Sequence, residues 1–245
     1  MKFNRRTFLK TGGAVVLGTA ISPGVTLYRV FAEDGRDSAA SSKNKWGLVI
    51  DSNLCTDKCD ACTKACRIEN NVPLFGDKRF DGHWIRKVTV TPKMPNAKSR
   101  SLPLLCNHCE HPPCQHVCPV AATFKRKDGV VLIDEHRCIG CRYCMIACPY
   151  KARTFVFKKT EKWTNKKVPK RSKGVVEKCN FCVHRVDKGE IPACVEACKK
   201  TGEKGMLFGN LNNPESEISI YIREHVPKPL RADLGLKPKV FYRGI

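Results

Sequence analysis

Residues Cys138 to Pro149 read CIGCRYCMIACP, and the spacing Cys-x2-Cys-x2-Cys-x3-Cys-Pro leaves a chain few options. Three thiolates, each separated by two residues on a tight loop, reach three corners of one [4Fe-4S] cubane. The fourth, Cys148, opens a helix that leads away and ligates a neighbouring cluster. One motif therefore predicts two clusters. A zinc site wants four ligands converging on one ion, usually as two separated pairs, so the run of three plus one argues against zinc.

The chain of 245 residues holds 16 cysteines, which fall into four groups of four with none left over. Sixteen is the number that four cubanes need. The other quartets are Cys55, Cys59, Cys62, Cys66; Cys106, Cys109, Cys114, Cys118; and Cys179, Cys182, Cys194, Cys198. A disulfide scaffold is the competing use of many cysteines in an exported chain, but compact quartets suit metal ligation better. The formal charge of +22 invites a nucleic-acid reading. Residues 1 to 32 carry five cations and no acid, so the remainder carries +17. Each oxidised cubane with four thiolates adds about −2, so four of them offset nearly half of that excess and remove the case for nucleic acid.

In chain order, residues 1–32 begin MKFNRRTFLK, a twin-arginine export signal followed by a weakly apolar, Gly-rich segment. The apolar run from Ala14 to Pro23 is too short to span about 30 Å of hydrocarbon. Export by this route moves folded proteins, so the thiolates can be metallated before they meet an oxidising compartment. Residues 33–45 read as a linker, and 46–105 as the first quartet with a hairpin insertion. Within it Trp46 to Asp51 is an expected strand, and the alternation of His83 to Val90 predicts a hairpin packed on one face. The first three cysteines, Cys55-x3-Cys59-x2-Cys62, match the CxxxCxxC of radical enzymes that use S-adenosylmethionine. A fourth cysteine follows at once and other clusters occupy the rest, which argues against that use.

Residues 106–157 read as a central two-cluster unit in the pattern of bacterial ferredoxins, with Gly129 to Asp134 a strand entering the third quartet. The basic insertion 158–178 follows; residues 151–178 carry eleven Lys or Arg against Glu161 and Glu177. Such a run is either a solvated loop or a docking patch that steers an acidic partner. The fourth quartet spans 179–198, with an eleven-residue polar spacer between Cys182 and Cys194 long enough to loop over a cluster. Residues 199–245 contain no cysteine, and Pro214, Pro227, Pro229 and Pro238 predict an irregular, extended tail. The expected fold class is α+β: two ferredoxin-like double-cluster units with short β-hairpins, basic loop insertions and that tail.

Pro follows the last cysteine of the second and third quartets, but Arg67 and Lys199 stand there in the first and fourth. With sequence adjacency, this pairs the second quartet with the third and the first with the fourth, the lone fourth cysteine crossing over in each pair. The expected ligand sets are Cys55, Cys59, Cys62 with Cys198; Cys179, Cys182, Cys194 with Cys66; Cys106, Cys109, Cys114 with Cys148; and Cys138, Cys141, Cys144 with Cys118. His108, His111 and His116 lie inside the second quartet but are surplus to four thiolates, and read as groups beside a cluster or at the surface. Arg142, Lys64 and Lys199, near ligands, are expected to stabilise reduced clusters. No catalytic acid, base or nucleophile constellation stands apart from cluster ligation.

CRIENNVP at Cys66, HPPCQHVCP at His111, CIGCRYCMIACPYKAR at Cys138 and ACVEAC at Ala193 resemble the four-cluster iron-sulfur subunits of membrane-associated respiratory oxidoreductases. LCNHCEHPPC, KCNFCVHRVDKGEIPACVEAC and LRADLGLKPKVFYRGI look most like the exported DsrO-type subunit of the Dsr complex and the Hdr-like menaquinol oxidoreductase iron-sulfur subunit. The resemblance implies an electron wire on the outer face of the cytoplasmic membrane. Its implied partners are an NrfD-type integral membrane quinone-interacting subunit, a c-type cytochrome and further heterodisulfide-reductase-like subunits. Iron-sulfur subunits of polysulfide, tetrathionate and nitrite reductase systems are similar, which leaves a molybdopterin-dependent reductase as the alternative assembly. Cys55-x3-Cys59 departs by one residue from the usual Cys-x2-Cys.

Overall fold

The computed structural model describes residues 40–91, 93 and 99–245. The expected export signal and residues 33–39 of the expected linker lie outside the described residues.

The run Trp46–Asp51 is apolar without alternation, as a strand covered on both faces should be, and it forms β1 with Leu48, Val49 and Ile50 each 1% exposed. Its neighbours come from the far end of the chain. β8 (Met206–Asn210) pairs antiparallel on one side and β10 (Val240–Arg243) parallel on the other, with β9 (Lys228–Pro229) at the edge beyond β10. Period two then sorts the side chains. Leu48, Ile50, Met206, Phe208, Val240 and Tyr242 face the cysteine-rich core, whereas Val49, Leu207 and Phe241 face α6 (Glu217–His225) through Ile218, Tyr221 and Ile222.

This sheet corrects the expectation of an irregular tail over 199–245. The prolines there punctuate elements. Pro214 precedes α6, whose N-cap is Ser216, and Pro227 follows it. Pro229 sits in the two-residue edge strand, where a missing N–H is tolerated, and Pro238 stands before β10.

The remaining strands are hairpins. β2 (Ile85–Val90) pairs with β3 (Arg100–Leu105), burying Ile85, Leu102 and Leu105 while Val90 near its tip is exposed. β4 (Thr123–Lys125) pairs with β5 (Val131–Ile133), and β6 (Thr154–Phe155) with β7 (Val176–Glu177). Five helices sit among them: α1 (Ala61–Asn70), α2 (Pro113–His116), α3 (Tyr143–Ile146), α4 (Val183–Val186) and α5 (Ala193–Lys200). α1 packs on α5, and α2 on α3. The architecture is α+β. Among the described residues no helix is long and apolar enough to cross a membrane.

The basic loop 158–173 has no regular secondary structure but is pinned. Asn71 donates to the carbonyls of Asn165 (2.9 Å) and Val168 (3.1 Å), and Trp163 Nε1 donates to the Val168 carbonyl at 2.8 Å. Arg171 is buried, donating from Nε to the Asn70 carbonyl at 2.8 Å and pairing with Glu135. Its lysines, from Lys158 to Lys173, remain exposed.

Candidate iron-sulfur centres

Cys62 and Cys66 lie on α1 one helical turn apart, and Cys194 and Cys198 lie likewise on α5. Because the two helices pack together, one cysteine of each meets one group of thiols and the other meets a second group. Cys55, Cys59, Cys62 and Cys198 line one small cavity, walled by Leu54, Ala61, Pro103 and Met206. Cys66, Cys179, Cys182 and Cys194 line a second, closed by Leu48, Trp84 and Phe181. The helix pair therefore brings together the thiols of both expected crossed sets.

The second pair of sets repeats the device with shorter helices. Cys114 is on α2 and Cys118 just beyond it; Cys144 is on α3 and Cys148 just beyond that. Burial pushes the Cys109 thiol up to about 12, reinforced by Cys106, Cys114 and Cys148 around it. Cys144 is raised by burial too, with Cys114 and Cys138 beside it. Cys118 differs. Burial pushes it up, but donation from the Thr123, Ala122 and Val120 amides outweighs this and lowers it, the Ala122 N–H lying 3.2 Å from Sγ. Cys141 is exposed.

Electrostatic interaction between thiols of different sets gives an order. Cys62 neighbours Cys66 and Cys194, Cys106 neighbours Cys179, and Cys114 neighbours Cys144. Thiols from the Cys55, Cys179, Cys106 and Cys138 quartet sets therefore follow one another in that sequence, Cys62 beside Cys66, Cys179 beside Cys106 and Cys114 beside Cys144.

The donors fit [4Fe-4S] cubanes. All sixteen cysteines are free thiols, and every one except Cys141 is buried or half-buried. Burial pushes Cys62 and Cys179 up to about 12 and Cys66 and Cys194 well above the ordinary thiol range, each further raised by neighbouring thiols. Such groups become thiolates only when a cation replaces the proton. Among the described residues no three His, Cys, Asp or Glu side chains converge tightly enough for a single metal ion. In a cubane each thiolate binds a different iron, so its ligands stand further apart.

The polar groups around the thiols include several that spacing did not reveal. Asn70 Nδ2 lies 3.4 Å from Cys182 Sγ and 3.9 Å from Cys66 Sγ. Lys87 Nζ donates to the carbonyls of Thr56, Asp57 and Cys59 and supplies positive charge beside Cys55 and Cys62. Lys178 is 3% exposed and donates to the carbonyls of Val131 and Cys179. His108 is fully buried and stacks on Phe181 with ring centroids 3.7 Å apart. Its Nδ1 accepts from the Val131 N–H at 3.1 Å, and burial, then Lys178 and Lys239, hold it neutral. His111 and His116 are exposed. The cations singled out from sequence lie further out: Lys64 pairs with Asp60, Lys199 with Glu217, and Arg142 stacks over Phe155. No periodicity marks Lys178 or His108 as interior. Only their nearness to Cys179 and Cys109 hinted at a role.

A family profile described as "4Fe-4S dicluster domain" matches residues 97–210. The chain is similar over 98% of its length to the Hdr-like menaquinol oxidoreductase iron-sulfur subunit 1 of Archaeoglobus fulgidus, 46% identical and covering 97% of that protein. It is 34% identical to a tetrathionate reductase subunit of Salmonella typhimurium, with all of this chain and 90% of the relative covered. It is also 34% identical to protein NrfC of Escherichia coli, with 98% of this chain and 95% of that protein covered.

Proposed function

Because the chain belongs to the family of 4Fe-4S iron-sulfur subunits of respiratory oxidoreductase complexes, we propose that it relays electrons through four [4Fe-4S] clusters between menaquinol, at an NrfD-type membrane subunit, and a c-type cytochrome. The observation that supports this is the succession of thiols from different quartets, Cys62 beside Cys66, Cys179 beside Cys106 and Cys114 beside Cys144. The ligand sets are Cys55, Cys59, Cys62, Cys198; Cys66, Cys179, Cys182, Cys194; Cys106, Cys109, Cys114, Cys148; and Cys118, Cys138, Cys141, Cys144. For Cys118 and Cys141 the assignment rests on the motif spacing. Bound cubanes supply one-electron carriers, with potentials in the broad range of about −700 to +450 mV open to them.

The chain's own residues bind, orient and insulate. α1 and α5 fix thiols of adjacent sets one turn apart, and α2 and α3 carry Cys114 and Cys144, with Cys118 and Cys148 two residues beyond their ends. Trp84, Phe181, Leu48 and Tyr242 exclude water from the inner groups. The two ferredoxin-like units are the first quartet with the fourth and the second with the third. Export by the twin-arginine route would place the subunit at the periplasmic face, peripheral to the membrane, in a complex of sulfur metabolism with heterodisulfide-reductase-like subunits. The alternative assembly is a molybdopterin-dependent reductase, favoured by full-length similarity to a tetrathionate reductase subunit.

The test is iron and acid-labile sulfide content of anaerobically purified protein, with electron paramagnetic resonance during redox titration. About sixteen irons with magnetically coupled signals are expected. About twelve, or zinc, would overturn the four-cluster relay. Co-purified subunits separate the assemblies: a c-type cytochrome supports the first, a pterin-bearing large subunit the second.

A further inference from the structure

Arg153 stands five residues after Cys148 and turns back into the interior, where it is 7% exposed. Its Nη1 donates to Thr123 Oγ1 at 3.2 Å, while the buried Nη2 finds no oxygen or nitrogen acceptor in the protein. No ion pair among the described residues includes it. A buried cation without a carboxylate is strongly disfavoured unless another negative charge lies within reach. Burial works against the charged guanidinium, but the thiols of Cys114, Cys144 and Cys106 more than compensate and hold it protonated. Arg153 interacts with thiols of two sets, Cys114 in one and Cys144 in the next.

We propose that Arg153 is a shared counter-ion of two neighbouring clusters, setting the potentials of those bound by the Cys106 and Cys138 groups together. The proposal rests on the four-cluster reading. The charge must reach both sites at once. An arginine is never deprotonated in a protein, and its planar fork presents donors in two directions at once. Each added electron makes a cluster more negative, so a cation lodged between two clusters favours the reduced form of both. It also offsets the repulsion between electrons held on the two sites, in surroundings where little water screens either effect. A lysine at the same place keeps the charge but lacks the fork, so it can serve one side better than the other.

The test uses the full chain loaded with its clusters under anaerobic conditions, comparing the natural protein with Arg153→Gln and Arg153→Lys in redox titrations followed by electron paramagnetic resonance. Iron content is measured on every sample. In Arg153→Gln two of the four midpoints should move to more negative potential. The reduced-to-oxidised ratio at a fixed potential should fall by at least about tenfold for each, about 59 mV for a one-electron couple. The other two midpoints should stay, and the shift should not vary with pH. Midpoints that do not move, or four that move together, overturn the proposal. If Arg153→Gln fails to retain iron, Arg153→Lys carries the test. The same two midpoints must then fall, by unequal amounts, and unchanged values overturn it. A natural protein with fewer than about sixteen irons would instead fault the four-cluster reading itself.

Discussion

Tyr242 offers the sharpest test of how the C-terminal segment serves the sites. Its side chain is 1% exposed, on the strand that pairs parallel with β1. Its ring lies beside Cys179 and Cys106, which belong to different thiol groups. Removing a fully buried aromatic ring from a packed core costs about 3–5 kcal/mol in lost transfer energy and unrelaxed cavity. The hydroxyl contributes little, because its donation to the Pro103 carbonyl is long at 3.4 Å, so Tyr242→Phe should cost under about 1 kcal/mol. A protein whose unfolding releases cofactors has no simple equilibrium stability, so the rate is the proper readout. If β10 detaches before the transition state, the Tyr242→Ala penalty falls on unfolding, accelerating it from about a hundredfold to several thousandfold at about 1.36 kcal/mol per decade. The assay is decay of the visible cluster absorbance after anaerobic dilution into guanidinium. Decay of Tyr242→Ala within about threefold of the natural protein would remove β10 from the core and restore a loosely attached tail.

Three other outcomes are expected. Cys118→Ala should perturb the cluster bound with Cys138, Cys141 and Cys144; loss of only the signal belonging to the Cys106 group would sink the crossover. Asp51 accepts from Tyr221 Oη at 2.6 Å and pairs with Arg243 at 3.0 Å, and although burial opposes it, these partners and Asn53 hold its pKa below 3.8. With a depressed folded value, its contribution is present above the ordinary carboxylate range and lost as pH falls through the lowered value. Asp51→Asn should therefore unfold faster at pH 7, by about 1–3 kcal/mol of stability, with the difference vanishing in acid. Reversing Lys159, Lys162, Lys167 and Lys170 to Glu should slow association with the purified partner complex at least about tenfold at low ionic strength and little at about 1 M salt, as steering by exposed charge requires. Equal loss at both salt concentrations would mean that the loop holds the partner by other contacts.

Local signals carried far in this chain. Cysteine spacing marked four groups, the unbroken apolar run marked β1, and alternation marked the β2–β3 hairpin, because each is a property of a few adjacent residues. The sheet that closes the core was not legible. Its pairing of Leu48 with Val240 joins residues nearly two hundred positions apart, and prolines that bound α6 and β10 looked from the sequence like breakers of all order. The buried cations were hidden for a related reason. Arg153 interacts with Cys114 and Cys106 of another segment and Lys178 donates to the Val131 carbonyl, partners that no local pattern announces, whereas Lys64 and Lys199 pair at the surface.

The spacing of the four groups is set in two different ways. Cys62 and Cys66 are four residues apart on one helix, which fixes about 6 Å of axial separation, and Cys194 and Cys198 repeat that measure on the partner helix. The short helices carrying Cys114 and Cys144 end two residues before Cys118 and Cys148, so only the first gap is built into secondary structure, which resists small changes in packing. The central gap has no such ruler. Cys179 and Cys106 meet only through tertiary contacts, flanked by His108 on Phe181 and by Tyr242 from β10. Electron tunnelling falls off exponentially with distance, so the step that rests on packing alone is the one most sensitive to it. A C-terminal segment without a single cysteine thus packs at that junction, through Tyr242 on the strand it adds to β1.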